Sequence, residues 1–254
     1  MKVLITRPRE DALPLARALA ARGIETLIAP MLTITPLPEG AQRLSEQMAG
    51  AQALLFTSAN GVRAFAAASP RRELPVFAVG DATAAAARLA DFRSVSSAGG
   101  DVEDLAELAA ARLSPDHGAL LHAAGTEVAG DLAGRLGTLG FRVHRARLYE
   151  AVEASALEPE AAAALRRGEI AVALFFSPRT ARSFVRLAAA EGLVESCRGS
   201  SAIALSPAVA TALADLPWHS LRTAAAPTQS DLLAVLDTLL CEQGAKAGAG
   251  ETRE

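Results

Sequence analysis

Aromatic residues are scarce here, at 4%, and basic residues hold no majority: 25 Lys and Arg stand against 28 Asp and Glu, a net charge of −3. With no arginine-rich stretch and little aromatic surface for base stacking, nucleic acid is not an expected partner. Cysteine occurs only as Cys197 and Cys241, which excludes a disulfide scaffold and fits no zinc spacing. His117, His122, His144 and His219 form no pair at helical ligand spacing, so no metal site is expected. No stretch approaches the roughly 20 apolar residues that span a bilayer. The run Lys2-Val3-Leu4-Ile5 is too short for a secretory signal, so the expected setting is cytoplasmic, away from membranes. The first strand leads into Thr6-Arg7-Pro8-Arg9-Glu10-Asp11, with no glycine to admit a pyrophosphate. A Walker pattern and a G-x-S-x-G elbow are also missing. Strand ends carry Thr6, Ser58 and Gly80 where a phosphoacceptor domain would want acids. No cofactor is expected.

What is present is apolar and repeated. Hydrophobic residues make up 51% of 254 residues, enough for two domains of about 100–150 residues, each with its own core. Phe56-Thr57-Ser58-Ala59-Asn60-Gly61-Val62-Arg63-Ala64-Phe65 reads as a version of Phe175-Phe176-Ser177-Pro178-Arg179-Thr180-Ala181-Arg182-Ser183-Phe184. Each follows an apolar run, ends in a small polar loop and opens a helix. Val76–Thr83 likewise resembles Ala202–Val209, and Ser97–Leu105 resembles Ala224–Leu232. The unit from Val3 to Ile24 is echoed from Ala119 to Phe141. A repeat at this long period means duplicated domains rather than a solenoid.

Strands are expected at 2–6, 24–28, 53–56, 76–79, 118–121, 142–143, 170–176 and 202–205. Helices are expected at 11–22, 60–68, 82–89, 102–113, 128–139, 180–191, 208–213 and 230–240. The alternation argues α/β with parallel sheets. Two extended segments, Leu32–Pro38 and Arg145–Val152, have no helix of their own and read as paired connections between domains. The small, charged stretch 244–254 reads as a disordered tail.

Small hydroxyls, glycines and arginines collect where strands end: Thr6 and Arg7; Ser58, Asn60 and Arg63; Gly80 and Thr83; Ser177, Arg179 and Arg182; Ser206; Thr228. Ser58, Ser177, Ser206 and Thr228 sit just before helices, where an N-cap is worth about 1 kcal/mol. Capping alone accounts for any one of them. Their concentration in both halves points to a ligand with several anionic groups, because open α/β sheets bind ligands at this edge. A non-catalytic two-domain small-molecule binding protein is the alternative reading. A sugar-nucleotide transferase would want a well-placed acid, and none is found.

The chain resembles the uroporphyrinogen-III synthase family. The residues that carry the likeness are Ile5-Thr6-Arg7-Pro8, Phe56–Val62, Ala78–Ala84, Leu148-Tyr149-Glu150, Phe176-Ser177-Pro178 and Pro227-Thr228, in an order that spans Lys2 to Leu240. It departs from the family's usual pattern at Leu205-Ser206-Pro207, at Gly125-Thr126-Glu127 and at Asp81. The resemblance implies two similar parallel-sheet, flavodoxin-like domains joined by a two-stranded β-ladder with a cleft between them. Residues 1–33 with 155–243 would form one domain and 39–146 the other, linked by 34–38 and 147–154. It implies a monomeric lyase of tetrapyrrole (haem) biosynthesis that needs no cofactor or metal. The enzyme would close the linear tetrapyrrole hydroxymethylbilane into uroporphyrinogen III, losing water and inverting the last ring. The polycarboxylate substrate would be held by the strand-end residues above and by Gly125. Tyr149, the one tyrosine, is the candidate catalytic acid or else an aromatic that stiffens the connection; the resemblance favours the acid.

Overall fold

The structure is a computed structural model that describes residues 2–128 and 130–250, without the side chains of 243–250. It divides into two compact units, Met1–Thr33 with Glu153–Glu254, and Ile34–Val152. The chain thus passes between them at 33/34 and at 152/153.

The first unit holds strands β1 (Lys2–Ile5), β2 (Glu25–Ile28), β9 (Ile170–Phe175), β10 (Ser201–Ala204) and β11 (Ser220–Thr223). They lie in the order β2-β1-β9-β10-β11, with every pair parallel. In chain order within the unit this is 2-1-3-4-5, the flavodoxin-like winding. Its helices are α1 (Arg9–Ala20), α7 (Pro159–Arg166), α8 (Pro178–Ala190), α9 (Pro207–Thr211) and α10 (Gln229–Gly250).

The second unit holds β4 (Ala51–Phe56), β5 (Val76–Ala78), β6 (Val95–Ser97) and β7 (Ala119–Gly125), with β3 (Leu32–Pro36) and β8 (Val143–Glu153) reaching its borders. The sheet runs β3-β8-β7-β4-β5-β6, and the pairs from β8 to β6 are parallel. Without β3, the order β8-β7-β4-β5-β6 is that of the first unit, cyclically permuted. The β7–β8 pair takes the place that β1–β2 holds, which is why the sequence repeat is split. Helices α2 (Pro38–Gln47), α3 (Ala59–Ala68), α4 (Asp81–Leu89), α5 (Val102–Arg112) and α6 (Leu132–Thr138) complete it.

Four local expectations change. Leu32–Pro38 does lead into a helix: α2 starts at Pro38, where the missing N–H costs nothing. Leu44 is the one buried residue that α2 offers, so its apolar signal is faint. β8 is one 11-residue strand, and its first half pairs with β7 instead of standing apart as a connection. The helix expected from Val128 begins only at Leu132, after Gly130 turns at φ +72° and Asp131 caps it by accepting the Gly134 N–H at 2.9 Å. The tail expected from 244 is helical through Gly250 as part of α10, and residues 251–254 lie outside the described ones.

Strand alternation builds a core on each face of each sheet. In β1, Leu4 faces one cluster while Val3 and Ile5 face the other. In β4, Leu54 and Phe56 face one cluster while Ala53 and Leu55 face the other. The few aromatics are concentrated. Phe56, Phe65 and Phe92 meet with centroids 5.8–5.9 Å apart. At the repeat-related place, Phe175 and Phe184 meet edge-on at 5.1 Å and Trp218 lies 5.8 Å from each. Trp218, with Nε1 donating to the Leu213 carbonyl at 3.1 Å, is a packing residue. Among the described residues, no helix is long and apolar enough to cross a membrane.

Candidate functional site

In each sheet the winding reverses between two central strands, β1 and β9 in one unit and β7 and β4 in the other. Chains leave such a switch point in opposite directions and open a crevice at the strand C-termini. Thr6, Arg7, Ser58, Asn60, Arg63, Gly125, Ser177 and Arg179 end or follow the switch strands, whereas Gly80 and Thr83 follow β5, Ser206 follows β10 and Thr228 follows the edge strand β11.

In the second unit, β4 ends at Phe56 and Ser58 becomes the N-cap of α3. Its Oγ accepts the Gly61 N–H at 3.1 Å. Ser58 Oγ also lies 2.9 Å from the Tyr149 hydroxyl. Tyr149 is buried on β8 opposite Gly125, where the β7–β8 register shifts. A Cβ on Gly125 would stand 2.8 Å from the Tyr149 ring, so only glycine leaves room for the phenol. Asn60 accepts from Arg63 Nη2 at 2.5 Å. Gly80 is the N-cap of α4 and Thr83 is buried in that helix's first turn. Asn60 and Arg63 thus follow the same strand as Ser58, and Gly80 and Thr83 follow its neighbour β5.

In the first unit, Thr6 is buried and its hydroxyl donates to the Leu174 carbonyl at 2.7 Å, tying β1 to β9. Arg7 lies over the Phe176 ring at 4.5 Å and donates to Gln229 at 3.0 Å. Ser177 caps α8, accepting the Thr180 N–H at 3.2 Å as its counterpart Ser58 does in α3. Arg179 pairs with Glu153 at 3.4 Å. Thr228 accepts the Asp231 N–H at 3.1 Å in the first turn of α10. Ser206 precedes α9 without a side-chain cap bond. Capping is therefore seen at Ser58, Ser177 and Thr228.

Two residues escape the sequence reading, one on the switch strand β7 and one opposite it on β8. His122 is buried on β7 with Nε2 3.1 Å from Thr57 Oγ1. Burial, and secondly the charge of Arg145, push its pKa from 6.5 down to about 4, so at neutral pH the ring is uncharged. Arg145, on β8, donates from Nη2 to the carbonyls of Gly125 and Thr126 at 2.6 and 2.7 Å. Its signal is its register, since Arg145 pairs with His122 and only strand pairing reveals that. Among the described residues, no cluster of three His, Cys, Asp or Glu could hold a metal ion.

The arrangement offers helix N-termini with capped hydroxyls, which suit carboxylates. It also offers one phenol whose oxygen touches a serine already fixed by a backbone N–H. That is the equipment for orienting a polyanion and delivering one proton.

The family profile described as uroporphyrinogen-III synthase HemD matches residues 14–234. A solved uroporphyrinogen-III synthetase from Helicobacter pylori is similar at 18% identity and a TM-score of 0.62, over 94% of this chain and 99% of that one. A mutant uroporphyrinogen III synthase from Thermus thermophilus is similar at 18% identity and a TM-score of 0.56, over 95% and 99% of the two chains. Both likenesses concern the fold. None of the curated protein sequences compared matches the chain.

Proposed function

The chain belongs to the uroporphyrinogen-III synthase family, and from that premise we propose how its own residues carry the family's reaction. The activity is that of a lyase: hydroxymethylbilane is cyclised to uroporphyrinogen III, with loss of water and inversion of the last ring.

The substrate carries acetate and propionate arms. Each unit offers groups for them along the C-terminal edge of its own sheet: the first turns of α3 and α4 with Ser58, Asn60, Arg63, Gly80, Thr83 and Gly125 in one, and Thr6, Arg7, Ser177, Arg179, Ser206 and Thr228 in the other. Thr6 acts through its position and backbone, since its hydroxyl is held by Leu174. In this reading the domains are 1–33 with 155–243 and 39–146, with 34–38 and 147–154 as the linking strands.

The observation that carries the chemistry is the Ser58–Tyr149 contact. The Gly61 N–H donates to Ser58 Oγ. With Ser58 donating in turn to the Tyr149 oxygen, the phenol proton is left to point at the departing hydroxyl. The pyrrole nitrogen's lone pair expels that hydroxyl, which leaves as water with the Tyr149 proton. The cation then bonds to the substituted carbon of the last ring to give a spiro intermediate, and holding the flexible chain for that attack is the larger part of catalysis. Tyr149→Phe is expected to lower kcat and kcat/KM together by about tenfold, or roughly 1.4 kcal/mol. Spontaneous ionisation keeps the loss from being total. Steady-state turnover with product isomers resolved by chromatography checks it, and full turnover in Tyr149→Phe would leave Tyr149 a packing residue only.

The protein is taken to be a cytoplasmic monomer. Both cysteines are free, with the buried Cys197 thiol pushed up by burial to about 11, which suits a reducing compartment. Size-exclusion chromatography with light scattering tests the monomer.

A further inference from the structure

A cavity of about 650 Å³ opens in the second unit between α2 and β8. Three of its lining residues are arginines, Arg43, Arg145 and Arg147, against two glutamates, Glu39 and Glu150. Some arginines elsewhere are matched by acids, as in Arg22–Asp237, Arg167–Glu169, Arg198–Glu195 and Arg222–Glu242, and others bond carbonyls, as Arg72 and Arg88 do. Here, among the described residues, neither Arg43 nor Arg147 makes an ion pair or a side-chain hydrogen bond, and neither glutamate pairs with an arginine.

Two further walls are unfinished. Nε of Arg145 and Oε1 of Gln47, which also lines the cavity, are buried without a hydrogen-bond partner. A buried donor left unmet costs about 1–3 kcal/mol, and more when the group is charged. Arg145 Nε lacks an acceptor while Gln47 Oε1 lacks a donor, and beside three arginines the acceptor that suits Arg145 is a negatively charged one. The backbone is fixed tightly around it. A Cβ on Gly40 would stand 1.8 Å from the Arg147 carbonyl oxygen, so α2 can lie this close to β8 only with glycine there. Arg145 meanwhile grips the carbonyls of Gly125 and Thr126, so the cavity shares a wall with the turn that packs Tyr149.

We propose that this cavity is a carboxylate-binding site, in which Arg43, Arg145 and Arg147 take an anion bearing two or more carboxylates. Planar guanidinium forks match carboxylates two bonds at a time. The same chemistry has two sources, an acetate or propionate arm of the tetrapyrrole or a free polycarboxylate. The first source rests on the synthase reading and the second does not.

The test uses the full chain with citrate as probe, at constant ionic strength, and compares wild type with Arg43→Gln/Arg147→Gln. Calorimetric titration is expected to show citrate binding at least tenfold weaker in the double variant, and thermal melts should show its protection lost. Glu39→Gln/Glu150→Gln should move the affinity the other way, a sign that damage to the fold would not produce. In a parallel arm, a rise in KM for hydroxymethylbilane with kcat nearly kept would assign the site to a substrate arm. An unchanged KM with citrate binding lost would assign it to a free polycarboxylate. Equal citrate affinity in all three proteins would overturn the site, and because citrate binding needs no turnover, that result stands apart from any failure of synthase activity.

Discussion

Phe175→Ala is expected to lower the free energy of unfolding by about 3–5 kcal/mol. Phe175 is fully buried at the end of β9, edge-on to Phe184 and 5.8 Å from Trp218, so truncation removes one ring of three and leaves a cavity that the two others line. The sheet around it is too rigid to collapse into the gap. The repeat makes the expectation specific. Phe56 holds the same place in the second unit, against Phe65 and Phe92. Trp218 is the one tryptophan, so its fluorescence during urea unfolding reports on the first unit. Its transition should shift in Phe175→Ala far more than in Phe56→Ala. A shift worth less than about 1 kcal/mol, below the usual cost of such a cavity, would mean that this aromatic cluster does not hold the unit together.

Acid should cost the second unit stability through His122. Its folded pKa of about 4 lies below the value of 6.5 for an unfolded chain. Between those two values the unfolded chain takes up a proton that the folded one refuses. The stabilisation is therefore whole above pH 6.5 and drains away as the pH falls toward 4. By linkage this histidine alone contributes a loss of about 2 kcal/mol between about pH 7 and pH 5. Carboxylates add their own trends, so the check is a difference. The fall in unfolding free energy over that range, from urea melts, should be about 2 kcal/mol larger in wild type than in His122→Gln. Equal falls would mean that the imidazole is protonated within the fold.

The architecture is legible because two signals agree along the chain. Buried parallel strands read as continuous apolar runs, and the two Ser-capped turns share Phe, Ser, Arg and Phe at matching places, Phe56/Phe175, Ser58/Ser177, Arg63/Arg182 and Phe65/Phe184. What stays illegible has weak local signals. α2 buries Leu44 alone, and α7 buries mostly alanines, which show no contrast of size or polarity. β6 and β11 are short edge strands, only partly buried. At the site, Ser58 and Tyr149 can be named singly from sequence but not joined, since 91 residues separate them and only the β7–β8 and β7–β4 registers bring them to 2.9 Å. Arg145 reads as part of an extended connection because nothing local shows that its strand is paired to His122. Thr6 is a sequence candidate for its hydroxyl, and that hydroxyl is used in holding β1 to β9.

The activity is tested by its product. Purified protein, without added metal or nucleotide, is mixed with freshly generated hydroxymethylbilane; the product is oxidised and the two uroporphyrin isomers are separated. Mainly the III isomer is expected, at a rate above spontaneous closure. The I isomer alone, as free closure gives, would contradict it.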